Sequence, residues 1–143
     1  LAIFLPNGYV TDSGISIDEI TGGTGFYFYS DLTSGVTTIS TTNIVYLSGT
    51  SAPLTAGIWA IDFNAIGGNL SPNKYIGVSF YIDNIIQGVE NYFKTNDANV
   101  IMPFVITKDL PLTAGTHLFE IRFRNQGGVA NLRYGSMRAR LVN

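Results

Sequence analysis

Apolar and polar residues alternate at period two along most of this chain, and Gly, Asn, Ser and Pro break the alternation about every ten residues. That rhythm predicts strands over Gly25–Tyr29, Val36–Ile39, Asn43–Leu47, Gly57–Ala65, Lys74–Ile82, Ile85–Phe93, Val100–Thr107, Thr116–Asn125, Val129–Arg133 and Ser136–Val142. The turns between them are written as Gly67-Gly68-Asn69, Ser71-Pro72-Asn73, Asn96-Asp97-Ala98-Asn99 and Gln126-Gly127-Gly128. Asp83-Asn84 predicts a tight hairpin, because both residue types tolerate positive φ. Helix is scarce. Ser16-Ile17-Asp18-Glu19 has capping-box spacing, but Gly22-Gly23 follows before a second turn can form. Many short strands with regular turns predict an all-β sandwich or barrel.

A phrase recurs. Pro53-Leu54-Thr55-Ala56-Gly57 launches a strand through Phe63, and Pro111-Leu112-Thr113-Ala114-Gly115 launches another through Phe123. The two spacings differ by an even number of residues, so the same side of the sheet is presented in both. Equivalent launches in two halves of a sandwich suit a double Greek key.

Composition narrows the class. The 143 residues suit one domain over residues 1–143, with 1–49 the part least constrained by pattern. Charged residues are 13% of the chain, 45% is hydrophobic and 13% aromatic, which excludes a disordered polypeptide. A net charge of −2 gives no basic field for nucleic acid, and no apolar run approaches the ~18 residues of a membrane span. The opening Leu1-Ala2-Ile3-Phe4-Leu5-Pro6 reads as a strand or as the cut edge of a longer protein. With no cysteine, stability is expected from packing rather than disulfides.

Charge is distributed unevenly. Residues 1–73 hold Asp12, Asp18, Glu19, Asp31 and Asp62 and no Lys or Arg, a net of −5. Residues 109–143 hold Arg122, Arg124, Arg133, Arg138 and Arg140 against Asp109 and Glu120, a net of +3. Either acidic and basic strands pair within one sheet, or the two ends attract between copies. Arg122 with Arg124, and Arg138 with Arg140, each stand on one strand face. Were their strands neighbours, four guanidinium groups would form a ladder needing carboxylates such as Asp62 and Glu120 between them. Those arginines serve either a structural role, pairing with the acidic N-terminal half or across a trimer axis, or the binding of a sulfated or sialylated glycan or of lipopolysaccharide phosphate.

Candidate chemistry is sparse. The single imidazole, His117, shares a strand face with Phe119, Ile121 and Phe123, which predicts a hydrogen-bonded histidine at the core edge rather than a catalytic base. No clustered ligands point to a metal, no carboxylate pair is singled out by spacing, and Gly22-Gly23-Thr24-Gly25 lacks the Lys of a phosphate loop. No enzyme activity, cofactor or metal is expected. In Lys74–Ile82, Ile76, Val78, Phe80 and Ile82 can fill a core while Tyr75, Gly77, Ser79 and Tyr81 face the other way, and Phe26-Tyr27-Phe28-Tyr29 is aromatic on both faces. An uncharged face of this kind is cheap to desolvate. Tyr27, Tyr29, Tyr75 and Tyr81, with Arg122, Arg124, Arg138 and Arg140, are therefore the expected subunit-interface residues.

The stretch from Leu112 through Arg124, with Ala130–Tyr134 and the closing Gly135–Val142, resembles the C-terminal part of jelly-roll domains in bacteriophage and other viral surface proteins, which are similar to the tumour necrosis factor and complement globular-head superfamily. Leu54–Phe63 and Tyr75–Asp83 resemble that group's middle strands. The resemblance spans about residues 50–142 and is one of pattern. It implies a ten-stranded jelly roll that assembles as a homotrimer at the virion surface or outside the cell, as the head of a fibre or spike contacting a host glycan or protein. The loop tip with Tyr92, Phe93, Lys94, Asn96 and Asp97 is the expected contact, since aromatic stacking and amide hydrogen bonds suit sugars. A capsid-decorating or fibre-trimerising role without a receptor, and a carbohydrate-binding module, are the alternatives.

Overall fold

A computed structural model describes residues 2–4, 10–12, 26–32, 34–98 and 100–142, with side chains for 32, 34–98 and 100–142. The capping-box segment and its glycines lie outside these. All regular structure among the described residues is strand: β1 (Ala2–Phe4), β2 (Val10–Asp12), β3 (Phe26–Leu32), β4 (Val36–Thr38), β5 (Ile44–Thr50), β6 (Gly57–Asn69), β7 (Lys74–Ile82), β8 (Ile85–Ile86), β9 (Asn91–Thr95), β10 (Met102–Leu112), β11 (Leu118–Asn125) and β12 (Ala130–Leu141). β1 and β2 pair only with each other among these strands; the rest form two antiparallel sheets.

The first sheet runs β10-β6-β12-β3, with β4 also on β12; the second runs β5-β11-β7, with β8 and β9 both on β7. From β5 onward the chain crosses between sheets at β6, β7, β10, β11 and β12, the winding of a jelly roll. Strands β3, β4 and β5 belong to the two sheets, so residues 26–50 complete the sandwich.

Alternation decides what lies between the sheets. Trp59, Ile61, Phe63, Leu132, Met137 and Ala139 of the first meet Ile76, Val78, Phe80, Phe119, Ile121 and Phe123 of the second, all buried. Each large side chain contributes about 1.5–3 kcal/mol by leaving water. Aromatic rings lock the layers: Tyr46 packs edge-on at 6.2 Å from Phe63 and 5.9 Å from Phe123, and Phe93 lies tilted at 4.6 Å from Phe104.

The repeated phrase has a structural meaning. Leu54 and Gly115 form a bridge, each N–H donating to the other's carbonyl at 2.8 and 3.0 Å, and Leu54 and Leu112 are both buried. The two launches therefore brace each other before sending β6 into one sheet and β11 into the other. The hairpin at Asp83-Asn84 forms as expected, with φ of 51° and 66°.

Most strand ends shift by a few residues from the sequence reading, β10 the furthest, running on to Leu112, and three differences have a clear physical reason. The expected strand Ile85–Phe93 breaks after Ile86, because Gly88 turns at φ 81° and releases Glu90 toward Arg124. Gly67-Gly68-Asn69 is not a turn but the end of β6, where the missing side chains let Leu132 and the Val100 carbonyl approach closely. The two expected strands at the C-terminus are one, β12, bulged at Tyr134-Gly135 opposite Ala65.

Candidate functional site

The outer face of the second sheet is built from residues that alternate with the core. On β11, Phe119, Ile121 and Phe123 point inward, so Glu120, Arg122 and Arg124 point outward. On β7 the outward positions are Tyr75, Gly77, Ser79 and Tyr81, and on β9 they are Tyr92 and Lys94. Register sets the rows: Glu120 opposite Tyr81, Arg122 opposite Ser79, Arg124 opposite Gly77 with Tyr92 beyond, and Tyr75 opposite Lys94.

Each arginine on this face is already matched. Arg122 donates from Nε (2.7 Å) and Nη2 to Glu120, and from Nη2 to Asn84 Oδ1 at 2.8 Å, while its guanidinium lies 4.1 Å from the centre of the Tyr81 ring. Arg124 grips Glu90 in a two-pronged pair, Nε and Nη2 each at 2.8 Å, and Nη2 also donates to Tyr92 Oη at 2.6 Å. The Glu90 carboxylate raises the Arg124 guanidinium well above its ordinary range. Burial pushes the Glu90 carboxyl up, but the Arg124 and Tyr92 hydrogen bonds outweigh it and hold the group below the ordinary carboxylate value. Glu90 rests on Gly77, where a methyl group would overlap its carboxylate. Between these pairs Ser79 is fully buried. Tyr75 and Tyr92 stand out from the face, 43% and 48% exposed.

The structure thus merges two sets that the sequence keeps apart. Tyr75, Tyr81, Arg122 and Arg124, expected at a subunit interface, share one face with Tyr92 and Lys94, expected at a loop tip. The loop-tip expectation is corrected: Tyr92, Phe93 and Lys94 lie within β9, paired with β7, and Phe93 turns inward to pack against the core. Asn96 and Asp97 are exposed in the turn that follows. Tyr27 and Tyr29 lie on β3, whose side chains there are outside the described residues.

The four-arginine ladder does not form, because β11 and β12 belong to different sheets. Arg138 and Arg140 sit on the outer side of the first sheet, away from the inward Met137 and Ala139. There Arg138 is in register with Asp62 of β6, and Arg140 with Ala60, whose other neighbour is Asp109. Of the counter-charges expected, Glu120 serves Arg122 and Asp62 faces Arg138 across the ladder. Glu90 is the partner that the sequence reading misses, since it falls inside what looks like one continuous strand. The Gly88 before it is the signal that the alternation fails there.

His117 sits at the end of the sandwich beside a shallow cleft of about 170 Å³ lined also by Ile82, Asp83, Ile85, Gln87 and Leu112. Its Nδ1 lies 2.7 Å from Asp83 Oδ2 and its Nε2 2.8 Å from the Thr113 carbonyl. Both partners are acceptors, so the clamp is complete when the ring carries a proton on each nitrogen. Asp83 Oδ1 also accepts from the Leu118 N–H at 2.8 Å, and Ser51 Oγ accepts from the His117 N–H at 3.0 Å. Burial pushes the imidazole down, but the Asp83 carboxylate and the Thr113 carbonyl outweigh it and hold the group above 6.5. For Asp83, burial pushes upward and the hydrogen bonds from His117 and Leu118 bring it below 3.8.

The signs give a pH window. A raised histidine contributes stability below its unfolded value and loses it as pH climbs through the folded one; a lowered aspartate contributes above its unfolded value and loses it as pH falls. The clamp is strongest between 3.8 and 6.5. Melting followed from pH 5 to 9 should show Tm falling by a few degrees above neutrality, and His117→Asn should flatten that decline. A wild-type Tm that stays level or rises from pH 6 to 9 would contradict the clamp.

No family model and no curated protein matches the sequence. Solved structures do resemble the fold. The Eiger TNF from S. frugiperda superposes with a TM-score of 0.51 at 9% identity, covering 82% of this chain and 93% of that one. The sugar-binding EclA C-terminal domain gives 0.47 at 14% identity over 94% and 88%. A family 35 carbohydrate-binding module from an environmental isolate gives 0.44 at 19% over 82% and 73%. The likeness to the Eiger TNF is one of fold: a TNF-like jelly-roll β-sandwich.

Proposed function

We propose that this chain is the head of a surface-attachment assembly, a homotrimer displayed on a virion or otherwise outside a cell. On this reading it holds a host glycan or protein against the outer face of its second sheet. The observation that carries the reading is the pair Tyr75 and Tyr92, 43% and 48% exposed on a face whose arginines are already matched by Glu90 and Glu120. Side chains held in place by their neighbours lose little entropy on binding, and exposed rings beside them offer contact area. The chain is not an enzyme in this proposal: its imidazole is committed at both nitrogens.

Labelled protein applied to panels of intact bacterial and animal cells is expected to bind. A Tyr75→Ala/Tyr92→Ala variant should lose at least about tenfold of that binding with an unchanged circular dichroism spectrum. Sedimentation at micromolar concentration should return three times the 15.5 kDa of the chain. A monomer would overturn the trimer, and a double variant that binds like wild type would overturn attachment through this face. Binding confined to assembled particles would favour a decorating or trimerising role, for which the charged rows of Arg138, Asp62, Arg140 and Asp109 on the first sheet are the natural contact.

A further inference from the structure

Resting on that attachment reading, we infer that the ligand held on the second sheet is an uncharged glycan, seated on Tyr75 and Tyr92, and not a sialylated, sulfated or phosphorylated one. Arginines on a sheet face ordinarily suggest an acidic sugar, but here each is already paired with a carboxylate, Arg122 with Glu120 and Arg124 with Glu90. Arg124 uses Nε and Nη2 on Glu90, Nη2 again on the Tyr92 hydroxyl and Nη1 on the Thr41 carbonyl at 3.3 Å. Arg122 uses Nε and Nη2 on Glu120, Nη2 on Asn84, and its flat face on Tyr81. An anionic sugar reaching either guanidinium would have to displace a carboxylate or sit beside it, and like charges brought together in a partly buried setting repel strongly.

The two arginines and two glutamates cancel, which leaves this face a net charge of +1, carried by Lys94. Arg122, Arg124 and Lys94 stand against Glu90 and Glu120, and the Lys94 ammonium lies 5.6 Å from the Tyr75 ring centre. One lysine without a fork does not make a site for an acidic group. What the face offers is ring surface, each ring with a cation 5.6 Å from its centre on one side, Lys94 at Tyr75 and Arg124 at Tyr92. Tyr75 and Tyr92 are diagonal neighbours across the β7–β9 pair, since Tyr75 faces Lys94 and Tyr92 faces Gly77. The Glu90 carboxylate fills the space over Gly77 and, through Arg124, holds the Tyr92 hydroxyl in place. Two rings at fixed positions suit the C–H faces of neutral sugar units, with hydroxyl partners nearby.

The test uses the full chain on immobilised neutral oligosaccharides of glucose, galactose and mannose, and on the same oligosaccharides capped with sialic acid or sulfate. Neutral forms should bind, capping should weaken binding at least about tenfold, and raising salt from about 50 to about 500 mM should change affinity less than about twofold. Tyr75→Ala and Tyr92→Ala should each cost about tenfold or more. Binding that requires the acidic cap, or that collapses with salt, would overturn the neutral-ligand inference and leave attachment standing. Tyr variants that lose cell binding while no glycan of either kind binds would also overturn it. Tyr variants that keep cell binding would bring down the attachment reading itself.

Discussion

Asn69→Ala should lower Tm by about 10–20 °C. The side chain is fully buried at the end of β6 and makes four hydrogen bonds. Its Nδ2 donates to the Tyr75 carbonyl at 3.2 Å and the Gly127 carbonyl at 3.1 Å; its Oδ1 accepts from the Ser71 N–H at 2.9 Å and the Val129 N–H at 3.2 Å. Those partners belong to the turn between β6 and β7, the start of β7 and the turn between β11 and β12, so one amide fastens both sheets at this end. Alanine leaves four backbone groups without it, at about 1–3 kcal/mol for each that stays buried and unpaired. With some rearrangement the sum is about 3–5 kcal/mol, a large share of the ~5–15 kcal/mol that holds a domain together. Asn69→Asp separates hydrogen bonding from packing. It keeps the acceptor but sets a carboxylate against two carbonyl oxygens, so it should be at least as damaging at pH 7 and partly recover when protonated near pH 4. A loss under about 3 °C for the alanine variant would mean that water or backbone shifts replace the amide.

Asn69 also marks the boundary of what the sequence makes legible. Period-two alternation is a local signal, and it suffices for β7, found at its expected bounds Lys74–Ile82, and for the inward set of Phe119, Ile121 and Phe123. The hairpin chemistry of Asp83-Asn84 is equally local. Gly67-Gly68-Asn69 looks like a turn because Gly and Asn favour turns, yet here the glycines admit a neighbouring strand and the asparagine serves backbone groups up to sixty residues away. The site follows the same division. Which residues leave the core face of β7 and β11 is readable from parity, so Tyr75, Tyr81, Arg122 and Arg124 are found. Which sheet a strand joins is not, and so Arg138 and Arg140 look like companions of Arg122 and Arg124 when they lie on the opposite side of the sandwich. Glu90 needs both the break at Gly88 and the pairing of β9 with β7 before it can meet Arg124 across thirty-four positions.

The other large effect is expected where the sheets are pinned through a bulge. Tyr46 rises from β5 through the core, and its hydroxyl accepts from the Gly135 N–H at 2.9 Å and reaches the Leu32 carbonyl at 3.4 Å. Burial pushes this phenol up and the Gly135 N–H partly offsets it, so the hydroxyl stays protonated and can donate as well as accept. The bulge exists because Tyr134 and Gly135 together oppose Ala65, which takes the Gly135 N–H out of the ladder and leaves it facing inward. Gly135 must be glycine, since a methyl there would overlap the Tyr46 ring edge. Gly135→Ala should therefore cost about 1–3 kcal/mol or more, by forcing the ring out of its contacts with Phe63 and Phe123. Tyr46→Phe keeps the ring and removes the acceptor, so it should cost about 1–3 kcal/mol, the penalty of one buried, unpaired N–H. The pair discriminates between explanations. If the hydroxyl is what holds the bulge, urea midpoints of both variants fall and amide exchange at Gly135 accelerates in Tyr46→Phe well beyond that of its β12 neighbours. If Tyr46→Phe melts with the wild type and Gly135 stays protected, the bulge is held by sheet pairing alone and the hydroxyl does not pin the two sheets together.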